Sequence, residues 1–180
     1  MRHIVLILCA AALGGCVHGT QSLAPVSHFE THRYAGIWYE IARFPHSFER
    51  DLTAVTAQYT LQPDGSVRVE NKGYNPKTHE WKSATARAYL KGDKTVGLLK
   101  VSFFRPFYAT YKIIWLDTAT YAHAVVTSDT YDYLWILSRS PQMSPAILQA
   151  SIQFAKESGF DVSRLEQVDQ SLNVSRQPEP

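Results

Sequence analysis

The sequence predicts an all-β domain: eight short antiparallel strands forming a sandwich or a barrel, followed by one helix. Eight segments alternate apolar and polar residues at close, regular spacing, divided by Pro, Gly, Asn and Asp turn signals. No strand–helix–strand alternation interrupts them, which argues against a parallel sheet. Aromatic residues make up 12% of the 180-residue chain, ten of them Tyr and four Trp, a load suited to strands or to a ligand-lined interior.

The first strand is expected over 37–45. Over 55–61, Val55, Ala57, Tyr59 and Leu61 share one face, and Thr56, Gln58 and Thr60 the other. Pro63-Asp64-Gly65 makes a turn, and 67–74 returns as the second arm of a hairpin until Asn75-Pro76 breaks it. The fourth segment, 81–90, sets Ala84, Ala86, Ala88 and Leu90 against Thr85, Arg87 and Tyr89. Gly92-Asp93 marks the next turn, 96–104 follows, and Arg105-Pro106 ends it. Strands over 110–116, 122–128 and 133–138 complete the set. A helix is predicted over 144–158: Ser144 is suited to the N-cap, Pro145 to the first helical position, and Gly159 stops it. Leu148, Ile152 and Ala155, with Ile147, Ser151 and Phe154 beside them, give a stripe to pack on the sheet. A short strand within 160–168 and a flexible tail over 171–180 are expected beyond it.

The N-terminus reads as an address. Met1-Arg2-His3 is followed by an apolar run to Leu13 and then by Gly14, Gly15 and Cys16, the pattern of an export signal over 1–15. About ten apolar residues are too few to span a bilayer, which needs roughly twenty. Residues 16–28, with Gly, Thr, Gln, Ser and Pro and little apolar periodicity, read as a tether. The folded domain is expected over 29–170. Its two cysteines, Cys9 and Cys16, both precede that domain, so it has no thiol nucleophile, thiolate metal ligand or disulfide. A net charge of +2 without basic clusters gives no nucleic-acid footprint. Eight strands can close around one small ligand. Alternation alone leaves two interiors open: a hollow bordered by small residues, or one filled by its own aromatics.

Four blocks carry a family resemblance. Tyr34-Ala35-Gly36-Ile37-Trp38-Tyr39-Glu40-Ile41-Ala42-Arg43-Phe44 resembles the G-x-W signature that opens the first strand of lipocalins. Asp132-Tyr133-Leu134-Trp135-Ile136-Leu137-Ser138-Arg139 resembles the family's final block, which ends in arginine. Asn71-Lys72-Gly73-Tyr74-Asn75 and the run from Val101 to Tyr108 match in between, and Leu13-Gly14-Gly15-Cys16 resembles a bacterial lipobox. Together they resemble the bacterial outer-membrane lipoprotein lipocalins and, more distantly, apolipoprotein D. The resemblance implies an up-and-down barrel with the helix on its wall, lipidation at Cys16, and an outer-membrane location facing the periplasm. Gly36, Trp38 and Arg139 are then structural: Trp38 closes the barrel floor and Arg139 lies across its ring.

A lipocalin cavity works by exchanging water for apolar contact. Ten buried methylenes give roughly 8 kcal/mol before ordering costs. The ligand class expected is therefore a fatty acid or lysophospholipid, held or transported in the envelope, with its head group at the mouth. Strand parity proposes Ala42, Phe44, Ala57, Tyr59 and Val69 as cavity residues in the first half of the barrel. Ala86, Ala88, Val101, Tyr111 and Ile113 follow, then Trp115, Val126, Tyr133 and Trp135. A β-bulge would turn part of this set outward. Two alternatives stand beside the carrier: a structural or stress-response envelope lipoprotein, and a lipid-processing enzyme. No G-x-S-x-G elbow is present, and His28 and His32, four apart, lie outside any helical pattern. Neither catalytic residues, a cofactor nor a metal is therefore expected. The partners expected are an apolar small molecule and a membrane reached through Cys16, with a homodimer left open.

Overall fold

Every strand pairs antiparallel with its neighbours, and the first returns to the second, so the sheet has no free edge among its eight main strands. The structure, a computed structural model, describes residues 19–175. The expected signal segment, Cys16 and residues 176–180 lie outside the described residues. The strands are β1 (Gly36–Arg43), β2 (Thr53–Leu61), β3 (Val67–Asn75), β4 (Glu80–Leu90), β5 (Leu98–Ser102), β6 (Ala109–Leu116), β7 (His123–Thr127) and β8 (Leu134–Ser138). Sheet order runs β2-β3-β4-β5-β6-β7-β8-β1, and β1 closes on β2 through Trp38↔Ala57 and its neighbours. This is the up-and-down barrel expected from the sequence. A two-residue strand, β9 (Glu166–Gln167), adds to the outer side of β1.

The short helix α1 (Thr31–Tyr34) precedes the barrel, and α2 (Pro145–Glu157) packs outside it. Ser144 caps α2 by accepting from the Ile147 N–H, with Pro145 in the first turn. Ala155 and Phe160 join Phe44, Ile114, Val125 and Leu134 in a buried cluster between helix and wall. The expected α2 stripe is therefore the packed one.

One end is closed by a knot of polar and aromatic contacts. Trp38 is fully buried, and its indole N–H donates to the Tyr34 carbonyl at 2.9 Å. The Arg139 guanidinium lies 4.1 Å from the centre of the Trp38 ring. Its nitrogens donate to the carbonyls of Arg33, Ala35 and Ile37 at 2.7–2.9 Å and to Tyr121 at 3.3 Å. Gly36 has φ +102°, and a Cβ there would stand 3.0 Å from Arg139 Nη1. The signature glycine is thus set both by backbone geometry and by the arginine's approach.

Two segments expected to be flexible are instead tied down. Thr20 is buried: Lys112 Nζ donates to its carbonyl at 2.8 Å, and its N–H donates to the Asp129 carbonyl. The chain then follows the outside of β6. Val26 extends the ladder at the closed end, donating to Ile113 and accepting from Gly97. A Cβ on Gly97 would come within 2.7 Å of Val26 Cγ2, so the glycine makes room for this strap. At the other terminus, α3 (Ser171–Val174) and the residues before it seal the seam where β1 and β2 diverge. Gln170 Nε2 bridges the carbonyls of Glu40 and Val55, and Asn173 Nδ2 donates to Ala54. The tether reading for 19–28 and the flexible-tail reading for 171–175 are corrected by these bonds. Neither segment has an apolar period, and hydrogen bonds to strand carbonyls leave no such trace in sequence.

Replacing Trp38 by Ala removes the largest fully buried side chain of the closed end and is expected to cost about 3–5 kcal/mol. Denaturant melts of the two proteins check this, and equal midpoints would remove Trp38 from its structural role.

Candidate functional site

The barrel interior is divided in two. In its lower half, Tyr34, Tyr59 and Tyr111 meet above Trp38: the Tyr111 hydroxyl lies 2.7 Å from that of Tyr34 and 2.8 Å from that of Tyr59. Burial holds all three phenols above the ordinary tyrosine range. Ala57, Val69, Ala86, Ala88 and Ile113 pack into the same cluster as this aromatic plug. Above it opens a cavity of about 710 Å³, within the roughly 300–1,000 Å³ typical of small-molecule sites. The two interiors left open by alternation are both present, one above the other.

The cavity wall is built from the upper rungs of the strands. Val55, Asn71, Gly73 and Ala84 line it from β2, β3 and β4, and Ala109 and Trp135 from β6 and β8. The loops at this end, 44–52, 103–108 and 128–133, contribute Phe48, Leu52, Phe103, Phe104 and Tyr133. Lys82 stands opposite Gly73 on the same alternating face as Ala84 and lines the cavity near its open end. Asn71 Oδ1 is buried without a hydrogen-bond partner in the protein.

Tyr133 and Trp135, with rings stacked at 5.9 Å, are the two parity-expected residues that line this hollow. Ala57, Tyr59, Val69, Ala86, Ala88, Val101, Tyr111, Ile113 and Val126 do point inward, but into or against the packed lower half. Three expectations are overturned by bulges. β1 pairs Glu40 with Leu137 and then Ala42 with Ile136, so Ile41 is an extra residue and the alternation shifts. Ala42 then pairs with Gln167 of β9 and is no cavity-lining residue, and Phe44 packs under α2. A second irregularity between Ile113 and Trp115 sends Trp115 to the helix-side cluster. The cavity residues missed by parity sit near strand ends or in loops, beyond the reach of a period-two pattern.

The same bulge in β1 turns Arg43 inward beside Glu40. Arg43 Nη1 lies 3.1 Å from Glu40 Oε2 and 3.9 Å from Glu49 Oε2, while Nη2 donates to the carbonyls of Glu49 and Leu52. This fixes the loop that carries Phe48 to the mouth. His46 Nε2 sits 3.0 Å from Glu49 Oε2 without hydrogen-bond alignment, and its ring stacks on Phe48 at 3.8 Å. Among the described residues no group of three His, Cys, Asp or Glu side chains is arranged to hold a metal. Burial, reinforced by the neighbouring Glu49 carboxylate and opposed by Arg43, holds the Glu40 carboxyl well above the ordinary glutamate range.

Comparison with known proteins places this geometry in context. The family model described as a lipocalin-like domain matches residues 29–170. The chain is 48% identical over 170 residues to the outer membrane lipoprotein Blc of Vibrio cholerae, covering 94% of this chain and 99% of that one. It is 29% identical over 152 residues to mouse apolipoprotein D, covering 80% of this chain and 78% of that one. Among solved structures, the cockroach allergen Per a 4 superposes with a TM-score of 0.66 at 21% identity, over 84% of this chain and 95% of that one.

Because native Glu40 holds its proton more tightly than the unfolded chain does, it lowers stability as pH rises from the ordinary glutamate range through its raised value. Glu40→Gln is expected to flatten that decline. Urea midpoints measured across pH check it, and an unchanged slope would place the titration elsewhere.

Proposed function

The chain belongs to the lipocalin family, and on that premise we propose that it is a lipid-binding envelope lipoprotein whose cavity takes the acyl chain of a fatty acid or lysophospholipid. It is placed at the outer membrane, the location its relatives in Gram-negative bacteria are named for. The observation that carries the ligand reading is the cavity of about 710 Å³, walled by Val55, Ala84, Leu52, Phe48 and Trp135 and open at one end. An acyl chain placed there leaves water for apolar contact, with about 0.8 kcal/mol available for each methylene buried. The aromatic plug limits how deep the tail can reach.

Polar groups suit a head that remains near solvent. Lys82 offers a cation at the mouth for a carboxylate or phosphate, and Asn71 offers a buried oxygen for a hydroxyl or amide donor just below it. A lysophospholipid uses both, through its phosphate and its glycerol hydroxyl. Lipidation of Cys16 would hold the carrier at its lipid source, since two or more acyl chains make release slow. Binding and handing on of lipid, without chemical conversion, is the activity that this combination supports.

Titrating delipidated protein with long-chain fatty acids and lysophospholipids is expected to change Trp135 fluorescence saturably, at micromolar concentrations. Ala84→Trp, which fills the hollow without entering the plug, should weaken binding by at least about tenfold. Absence of saturation with every acyl ligand in the parent would sink the carrier reading. Lys82→Glu is expected to weaken anionic ligands several-fold while leaving an uncharged monoacylglycerol within about twofold, a split that competitive titration measures.

A further inference from the structure

We propose that the barrel sits mouth-down on the membrane that anchors it, with the 103–108 hairpin immersed in the lipid interface beside the cavity entrance. The inference rests in part on Cys16 being the lipid anchor, and it goes beyond lipid binding to the surface on which loading occurs.

The first support is the place of Gly19, three positions after Cys16. Gly19 bridges to Thr130, and Thr20 donates to Asp129, both in the loop between β7 and β8 at the open rim. Ser128, Asp129 and Thr130 themselves line the cavity. Two residues, Val17 and His18, separate Cys16 from Gly19, so the reach between the two is at most about 11 Å even when fully extended. A chain anchored at Cys16 thus has its rim, rather than its closed end, held against the bilayer. Among the described residues the chain is held to the barrel from its start, by the bonds of Thr20 to Asp129 and Lys112 and of Val26 to Ile113 and Gly97.

The second support is the chemistry of that rim. Between β5 and β6 the chain presents Phe103, Phe104, Phe107 and Tyr108, with Phe104 80% and Phe107 77% exposed. Exposed aromatics in such a contiguous run mark an interaction surface. Phe103 and Phe104 also line the cavity, so the patch is continuous with the ligand's path. Lys100, within 5.1 Å of the Tyr108 ring, and Arg105, bonded to the Tyr89 hydroxyl, stand behind the aromatics. Apolar tips backed by cations match a bilayer interface containing anionic lipid. The closed end carries instead the turns with Asp64 and Asp93.

The test uses the full lipidated chain bearing Phe107→Cys, labelled with an environment-sensitive fluorophore. A second protein carries Asp64→Cys at the closed end. Each is bound to vesicles of phosphatidylethanolamine and phosphatidylglycerol whose acyl chains are brominated. Quenching at position 107 and none at position 64 is expected. Vesicle flotation with quenching at neither position, or equally at both, overturns the orientation, as does shielding of position 107 by self-association in place of lipid. Failure to float sinks the anchor and this orientation together. Phe107→Ser, which touches no cavity residue's role, should slow lipid uptake from vesicles about fivefold with ligand affinity unchanged; unaltered uptake counts against the proposal. The carrier reading is scored separately by the Trp135 titration.

Discussion

Arg139 over Trp38 is the contact on which the barrel's polarity depends. A guanidinium can satisfy several fixed carbonyls at once because its donors form a rigid planar fork, and here it does so at the point where α1, β1 and the turn before β7 converge. The ring beneath it provides a cation–π face and fills the floor. Once that end is locked, the tyrosine plug has a base to stack on, and the hollow can exist only toward the opposite end.

The open end has a different logic. Its strands finish in loops that supply most of the cavity's rim, and one buried ion cluster sets the largest of them. Arg43 holds the 44–52 loop by its carbonyls, while Glu40 and Glu49 compete for its charge. Removing a partner from such a buried cluster leaves an unpaired charge, which is why the cluster acts as a clamp despite its desolvation cost. The N-terminal strap starts at the same rim, where Gly19 bridges to Thr130, so the proposed anchor and the cavity mouth would share one edge of the molecule.

The barrel also shows how a packed fold keeps room for a guest. Tyr34, Tyr59 and Tyr111 consume the lower interior, and small side chains at Ala84 and Ala109 leave the upper interior free, while the missing side chain at Gly73 makes room for Leu52 and Val55 on the wall. On the lipid-binding reading proposed above, the division would set the depth available to a tail, and the polar groups at Lys82 and Asn71 the level of the head.

The sequence by itself determined the eight alternating strands, the capped helix and the blocks around Gly36, Trp38 and Arg139, because alternation, caps and turn chemistry are local properties of the chain. It did not determine which inward residues border space. Ala57 and Ala84 read alike in an alternating strand, yet one is packed under the plug and the other faces the cavity, since the distinction depends on what crosses from the opposite wall. Nor did it determine the bulges at Ile41 and Ile114, which reverse Ala42, Phe44 and Trp115 through the pairing register of two strands at once. The strap at 20–26 and the seal at Gln170 and Asn173 likewise emerge only in three dimensions, because their bonds to backbone groups join positions far apart in sequence.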